Sequence, residues 1–265
     1  MMQIALKLSF VFYGMAVGLT LVGFLLGKKW KFRYSGHSLL AGWLASTVYI
    51  ISRWYVGGRA PMSNQYESMI FLIWAFVGAF LVFRKYSSRD MEWLSPWTGV
   101  MALLALGSAS FLESDITPLV PALQSNWLLI HVSTVMTGYG ALLLSFLGGA
   151  VLLFMDKDQT EKRQGLESIT YRSCLVGFWL LSMGIITGAV WANSAWGTYW
   201  SWDPKETWSL ITWLYYAVAI HLRRTRGWKE DKFAHLMIWG FVLVLFTYFG
   251  VNYLMSGLHS YGRGR

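Results

Sequence analysis

The sequence predicts an all-α fold, a polytopic bundle of about eight transmembrane helices. The chain of 265 residues is 55% hydrophobic and only 13% charged, whereas about a quarter of the residues in a soluble domain are charged. Several apolar runs approach the length of about 20 residues that crosses the hydrocarbon core of a bilayer. Between them, no polar stretch is long enough to fold separately, so a single domain is expected over residues 1–265.

Eight apolar runs mark the candidate spans. They are 4–26, 37–56, 67–84, 93–112, 127–155, 173–193, 208–223 and 233–256. The first run has no small-residue cleavage site after it, so it is predicted to be a retained span and not a signal peptide. The fifth run contains four glycines, which are predicted to let helices approach closely. They are Gly138, Gly140, Gly148 and Gly149.

The basic residues predict the orientation of the bundle. Sixteen of the 22 Lys and Arg residues lie in four alternate connections, which are 28–33, 84–92, 156–172 and 223–232. Because basic loops stay in the cytoplasm, both termini and the other connections are predicted to be extracytoplasmic. The net charge of +9 is explained by these loops, and no nucleic-acid partner is expected. The single cysteine, Cys174, excludes an intramolecular disulfide and is expected to be a small buried residue.

One stretch stands out, running from Trp191 to Trp213 between the sixth and seventh spans. It holds six tryptophans within 23 residues, which are Trp191, Trp196, Trp200, Trp202, Trp208 and Trp213. An interfacial aromatic belt needs only one or two per span end. Gly197 and Asp203-Pro204 interrupt the stretch, so it is not an uninterrupted membrane helix. It is therefore predicted to form a concave aromatic surface outside the membrane.

The conformation of this surface is open at this point. Trp196 and Trp200 share a face if that part is helical, and Trp200 and Trp202 share one if it is extended. Basic side chains are candidates for holding carboxylates at its rim. These are Lys205, Arg53 and Arg59.

Five histidines fall into groups by their predicted depth. His131 and His259 lie at the level of the tryptophans, where two imidazoles around an aromatic surface suit the iron of a planar macrocycle. Each alone is also compatible with an interfacial hydrogen bond. His221 lies 13 residues after Trp208, which is about 20 Å deeper in a helix. It is either a ligand at a second level or a histidine at a helix end. His37 and His235 are expected to be interfacial.

The run from Trp196 to Trp208 resembles the tryptophan-rich WWD motif of haem-handling proteins in cytochrome c biogenesis. Its continuation to His221-Leu-Arg223 is similar to the CcsA (ResC) family of the system II pathway. Three further segments match that family, and they are Pro61–Glu67, Pro121–Trp127 with His131, and Gly257–Gly262. The resemblance covers the chain from about residue 35 to its end.

The resemblance implies a set of haem-binding residues. His131 and His259 would be axial ligands of an external haem b (iron protoporphyrin IX). The motif would hold that haem through Trp196, Trp200, Trp202, Asp203 and Trp208. His221 would ligate a second haem within the membrane, and a CcsB (ResB, Ccs1) subunit would supply the other ligand. No catalytic acid or base is expected.

The function implied is that of a membrane subunit of the system II cytochrome c synthase. It would relay haem outward and present it for thioether attachment to apocytochrome c. Whether the chain is an enzyme by itself stays open. The membrane would be the bacterial cytoplasmic membrane, or the thylakoid membrane in a plastid.

Three alternatives stay open. A CcmC-like haem-delivery protein shares the tryptophan motif and hands haem to a chaperone, but such proteins usually have six spans. A haem-free transporter or structural subunit would use the tryptophans only as a belt. A membrane oxidoreductase with haem would need two complete histidine pairs.

Overall fold

The computed structural model describes residues 2–27, 31–87 and 91–257. Within those ranges the regular structure is helical throughout, which confirms the predicted all-α class. The contacts group into two compact units, Met1–Thr117 and Pro118–Arg265. The single domain stays a prediction, and each unit is described by itself.

The first unit contains four long helices. They are α1 (Met2–Leu25), α2 (Lys31–Gly57), α3 (Gln65–Tyr86) and α4 (Ser95–Ala109). α2 packs against α1, α3 and α4, and α4 also contacts α1 and α3. α3 begins where the Asn64 side chain accepts a hydrogen bond from the Glu67 backbone N–H at 2.8 Å. This cap satisfies a donor that has no partner within the helix.

A buried charge cluster fixes one end of this unit. Glu67 forms ion pairs with Arg53 through one carboxylate oxygen and with Arg59 through the other, each at 2.9 Å. Arg53 also donates to the Ser114 carbonyl at 2.8 Å, and Arg59 to the Thr117 carbonyl at 3.1 Å. The cluster therefore joins the end of α2, the start of α3 and the chain after α4. Removing one partner of a buried ion pair costs about 3–5 kcal/mol.

The second unit contains α5 (Asn126–Phe154), α6 (Thr160–Trp196), α7 (Pro204–Thr225) and α8 (Glu230–Leu245). A π-helical turn (Phe246–Gly250) continues α8 into α9 (Val251–Leu254). α5 shares its largest interface with α6.

Two of the four predicted glycines illustrate close packing of α5, Gly138 against α6 and Gly149 against α8. A Cβ on Gly138 would lie 3.3 Å from the Gly177 carbonyl oxygen, and one on Gly149 would lie 3.1 Å from the Ala234 carbonyl oxygen. These positions let backbones approach, so bulkier residues would separate the helices.

Two arginines connect helices of the second unit near the start of α6 and the end of α7. Arg163 pairs with Asp231 at 2.9 Å and donates to the carbonyls of Leu152 and Met155. Arg223 pairs with Glu167 at 2.8 Å. Its guanidinium also lies 4.3 Å from the centre of the Tyr171 ring and 4.7 Å from that of Phe233. Together these side chains connect all four long helices.

Five of the described helices are long and apolar enough to cross a membrane, and the chain is a membrane protein. They are α1, α3, α5, α6 and the helical stretch Glu230–Leu254. α2 has an apolar run interrupted by Ser, Thr and His, α4 has only 15 residues, and α7 begins and ends with charged residues. The count of eight spans and the outward termini stay predictions.

α6 differs most from its predicted span. The span was expected at 173–193, but the helix begins at Thr160 and has 37 residues. The additional turns contain charged residues, yet they bury Arg163, Leu166 and Ile169 on one side. An amphipathic extension of this kind packs against the other helices although it is too polar for a membrane span. The buried Cys174 confirms its predicted role.

Candidate functional site

The tryptophan stretch is helical at both ends. Its non-helical part is 197–203, here called the tryptophan turn. α6 ends where Gly197 adopts a left-handed conformation with φ 80°, which costs glycine little. α7 begins at Pro204, whose fixed φ suits the first helical position.

This division separates the six tryptophans into three pairs. Trp191 and Trp196 lie in the last turns of α6, Trp200 and Trp202 lie in the turn, and Trp208 and Trp213 belong to α7. Because α6 ends at Trp196, the helical alternative for Trp196 and Trp200 does not apply. Trp200 and Trp202 instead meet edge to face, with centroids 5.8 Å apart and planes at 90°.

The buried Glu206 carboxylate stabilises the tryptophan turn through hydrogen bonds to its backbone. It accepts the backbone N–H groups of Ser201 at 2.8 Å and of Asp203 at 3.2 Å. The Asp203 side chain in turn accepts the Glu206 backbone N–H, which completes a reciprocal capping box at the start of α7. It also accepts the Lys205 N–H at 2.9 Å. The two acidic side chains therefore fix the turn and do not face outward.

Trp202 is held in a strained conformation by these bonds. Its φ is 59°, in the left-handed region that non-glycine residues rarely adopt. Its carbonyl accepts the Thr207 hydroxyl at 3.3 Å. The indole is 68% exposed, and the nearby Tyr199 is 60% exposed. Such conformations persist only where the surrounding contacts impose them, and they are frequent at binding sites.

His131 joins the tryptophan stretch from α5. Its ring lies parallel to that of Trp191, with centroids 6.1 Å apart and planes at 9°. Trp191 is buried and meets Trp196 edge to face at 4.8 Å. The structure thus brings together one predicted ligand and the end of α6 that leads into the tryptophan turn.

The tautomer of His131 follows from its hydrogen bond. Its Nδ1 lies 2.8 Å from the Gly184 carbonyl oxygen. Since a carbonyl oxygen accepts and does not donate, the proton is on Nδ1. In the neutral form of the ring, the lone pair is then on Nε2. Metal-binding histidines use the same arrangement, in which one nitrogen donates to an oxygen and the other ligates.

The end of the described chain packs on the start of α7. Gly257 contacts the Asp203 carboxylate so closely that a Cβ would overlap it, and a Cβ would lie 3.1 Å from Pro204 Cδ. Phe246 packs on Trp208 with ring centroids 4.3 Å apart. His259 lies outside the described residues, two positions beyond this contact.

Lys205, in the first turn of α7, forms a hydrogen bond with α9. Its Nζ donates to the Asn252 side-chain oxygen at 2.7 Å. Burial lowers the pKa of this amine from its ordinary 10.5 to about 8, and the Asp203 charge partly opposes the shift. The predicted rim partners Arg53 and Arg59 belong to the first unit, where both pair with Glu67.

His221 lies toward the opposite end of α7. The helix is continuous from Pro204 to Thr225, so Trp208 and His221 are about 20 Å apart along its axis. The His221 side chain is exposed, and its carbonyl accepts the Thr225 hydroxyl at 2.8 Å. His221 therefore does not join His131. His37 and His235 are exposed, and the Nδ1 of each contacts the carbonyl four residues earlier.

Several residues of this arrangement were missed by the sequence reasoning. The Asp203-Pro-Lys-Glu206 pattern is a capping-box signal that would have predicted the role of Glu206. Gly184 and Gly188 form a Gly-x-x-x-Gly pattern, which is typical of close helix approach. Asn252 carried no comparable signal. In the described ranges, no three His, Cys, Asp or Glu side chains converge on one metal position.

Comparisons with known proteins agree with the family resemblance. A sequence model of the family described as Cytochrome C assembly protein matches residues 62–259. A "Cytochrome c biogenesis protein CcsA" of Prochlorococcus marinus subsp. pastoris is 42% identical over 249 residues, covering 80% of this chain and 78% of that protein. The protein of the same name from strain MIT 9215 is 38% identical over 289 aligned positions, covering 95% and 92%.

A solved structure supports the fold independently. A "Cytochrome c Heme Lyase CcmF" superposes with a TM-score of 0.71 at 17% identity, covering 93% of this chain. The chain spans only 46% of the length of that protein, and the likeness concerns the fold alone. The family match, by contrast, covers about three quarters of this sequence, including the tryptophan stretch, His131, His221 and His259. The chain therefore belongs to the cytochrome C assembly protein family and functions in cytochrome c maturation.

Proposed function

We propose that this chain binds haem b at the tryptophan turn and presents it to apocytochrome c, as a CcsA subunit. The observation that carries the proposal is the His131 imidazole. Its Nδ1 contacts the Gly184 carbonyl at 2.8 Å, its ring stacks on Trp191, and its lone pair is on Nε2. A neutral imidazole of defined tautomer beside indole rings suits one axial ligand of a porphyrin iron.

The tryptophan turn fits a flat apolar ligand. Trp202 and Tyr199 are exposed although large aromatic side chains favour burial. The Glu206 bonds hold the turn before any ligand arrives, so less conformational entropy is lost on binding. Trp200 lies in the turn, with Trp196 before it and Trp208 after it, and these three residues are proposed to complete the aromatic surface. Asp203 is proposed to act through the helix cap.

His259 is the proposed second axial ligand. Gly257 contacts Asp203 at the start of α7. The chain is described up to Gly257, and two residues of chain reach at most about 7 Å. This short separation from the Asp203 contact supports His259 as a proposed ligand at the tryptophan turn.

The haem vinyl groups supply the chemistry, because each adds a cysteine S–H across its double bond to form a thioether. The chain's own residues would hold and orient the group. Two histidine ligands would shield the iron from oxygen, and one would be replaced by the histidine of apocytochrome c. No residue of this chain is proposed as a general acid or base, and the chain is proposed as the haem-presenting subunit of a synthase complex.

His221 is proposed to ligate a second haem deeper in the membrane. Its side chain is exposed at the far end of α7, so a ligand from another subunit could approach it. We propose that CcsB (ResB) supplies that ligand. The proposed location is the bacterial cytoplasmic membrane, or the thylakoid membrane in a plastid, with the tryptophan turn outside.

Haem spectra of the purified complex with CcsB test the proposal. We expect His131→Gly and His259→Gly each to lose the external haem and to recover it with added imidazole. His221→Gly should instead lose the inner haem. Bis-histidine spectra that are unchanged in His131→Gly would refute the assignment.

A further inference from the structure

The His131 side chain is held by α6, although its backbone belongs to α5. We infer that Gly184 and Gly188 are positioning residues that set the tautomer and ring plane of His131, an inference that rests on the proposed haem-binding function. Both glycines lie on the face of α6 that carries Trp191. Neither would touch the haem, and both would act through the imidazole.

The first part of this arrangement is a hydrogen bond. The Gly184 carbonyl oxygen lies 2.8 Å from Nδ1 of His131 and also accepts the Thr187 hydroxyl at 3.1 Å. A backbone carbonyl in the middle of a helix cannot change its orientation. It therefore selects the tautomer with the proton on Nδ1, and it makes Nε2 the nitrogen able to ligate iron.

The second part is the missing side chain of Gly188. A Cβ at this position would lie 2.6 Å from Cε1 and 2.7 Å from Nδ1 of His131. Both distances are well inside van der Waals contact, so the imidazole ring occupies the volume that any other residue would fill. An alanine would push the ring away from α6, and the displaced ring would lose its bond to Gly184.

The third part is the stacking on Trp191. This indole is buried, and its plane lies within 9° of the imidazole plane. Gly184, Gly188 and Trp191 thus fix the ring by a bond, a cavity and a stacking partner. Second-sphere contacts of this kind typically change metal affinity by about 10–100-fold.

The tautomer is measured first, without haem. In the full chain in lipid with ¹⁵N-labelled histidine, the His131 signals are assigned by their loss in His131→Gly. We expect a protonated Nδ1 and an unprotonated Nε2 in the wild type, and a mixture of tautomers in Gly188→Ala. The control is Gly107→Ala in α4, because a Cβ there meets nothing within 4 Å. A wild-type mixture, or an unchanged tautomer in Gly188→Ala, would overturn the inference.

Haem binding to the complex with CcsB is measured second. Gly188→Ala should weaken external haem binding about 10–100-fold, and Gly107→Ala should change it less than about twofold. The double variant His131→Gly/Gly188→Ala should match the residual haem binding of His131→Gly within about twofold, because Gly188 acts only through the His131 ring. This comparison is made without imidazole, because added imidazole would occupy the place of that ring. A further tenfold loss in the double variant would show that Gly188 serves helix packing, and it would overturn the inference.

The two experiments separate this inference from the proposed function. If His131→Gly leaves haem binding unchanged, the proposed function fails, whereas the tautomer measurement still decides the geometry. If His131→Gly loses haem and imidazole restores it, but Gly188→Ala binds normally, the proposed function stands and the positioning role is refuted.

Discussion

Replacing Glu206 by alanine tests how the tryptophan turn is held. The carboxylate is 8% exposed and accepts two backbone N–H groups, from Ser201 at 2.8 Å and from Asp203 at 3.2 Å. Between those two residues, Trp202 is in its left-handed conformation. Glu206→Ala removes Oε2, which accepts both N–H groups, and leaves them without this partner unless the turn relaxes.

The magnitude follows from those contacts. Each buried donor left unsatisfied costs about 1–3 kcal/mol. A non-glycine residue in the left-handed region costs about 1–2 kcal/mol, which the turn recovers if it relaxes. The wild type releases the same strain when its turn relaxes, so this term cancels in the comparison. The two donors, at about 1.5 kcal/mol each because one of them is only partly buried, favour the relaxed turn by about 3 kcal/mol relative to the wild type, or about 100-fold in population. Glu206→Gln retains one oxygen acceptor without the charge, so about half of that free energy is expected.

Hydrogen exchange of the turn measures this change directly and requires no haem. We expect the Ser201 and Asp203 amides to exchange about 100-fold faster in Glu206→Ala and about tenfold faster in Glu206→Gln. Glu113→Ala is the control, because Glu113 is an exposed acidic residue of the first unit and takes no part in the hydrogen bonds of the turn. If the exchange rates of the two amides in Glu206→Ala stay within about twofold of the wild type, the conclusion that Glu206 holds the turn is refuted.

Three further predictions concern the same end of α7. Trp202→Asn should keep or raise the Tm, because asparagine tolerates a φ of 59°. It should lower haem affinity, because it removes a side chain of a residue that is 68% exposed at the turn. A clear fall in Tm would contradict the conclusion that Trp202 is strained. Gly257→Ala should break the contact between Gly257 and the start of α7, because its Cβ would overlap the Asp203 carboxylate, at a cost of about 1–3 kcal/mol. Faster proteolysis next to residue 257 than in Gly107→Ala would confirm the contact, and an equal rate would contradict it. Lys205 has a pKa of about 8 in the folded chain and an ordinary pKa of 10.5 in the unfolded chain. Between pH 8 and 10.5 the unfolded chain therefore binds one more proton than the folded chain. In that range the free energy of unfolding rises with pH, by at most about 1.4 kcal/mol per pH unit. Lys205→Met should remove that rise in thermal melts recorded from pH 8 to 10, and an identical pH dependence in both proteins would contradict the lowered pKa.

The helices could be predicted because local sequence determines them. The limits of α7 follow from Asp203-Pro204 at its start and from the basic residues at its end, which are strong local signals. The α6 extension was missed because a hydropathy pattern finds membrane spans and overlooks amphipathic turns before them. The span 173–193 was correct as an apolar run, but Arg163 is buried and pairs with Asp231 through a contact that no local pattern reveals.

The site could be predicted only as a set of residues. The tryptophans and His131 were found by density and depth, and their contacts depend on long-range packing. The bond from His131 to Gly184 joins residues 53 positions apart, and it exists because glycines let α5 and α6 approach. Trp202 is an example of the opposite kind. Its positive φ conflicts with the preference of tryptophan, so sequence reasoning predicts against the conformation that Glu206 imposes.

Both ends of α7 are fixed to other helices of the same unit, and this limits how haem could pass between the proposed levels. At its start, Lys205 bonds to Asn252 and Asp203 contacts Gly257. Near its end, Arg223 pairs with Glu167 at 2.8 Å and lies between two aromatic rings. Sliding α7 would break contacts at both ends at once, including a partly buried ion pair. On the proposed function, α7 is therefore a rigid spacer, and haem would travel along its surface while the helix stays in place.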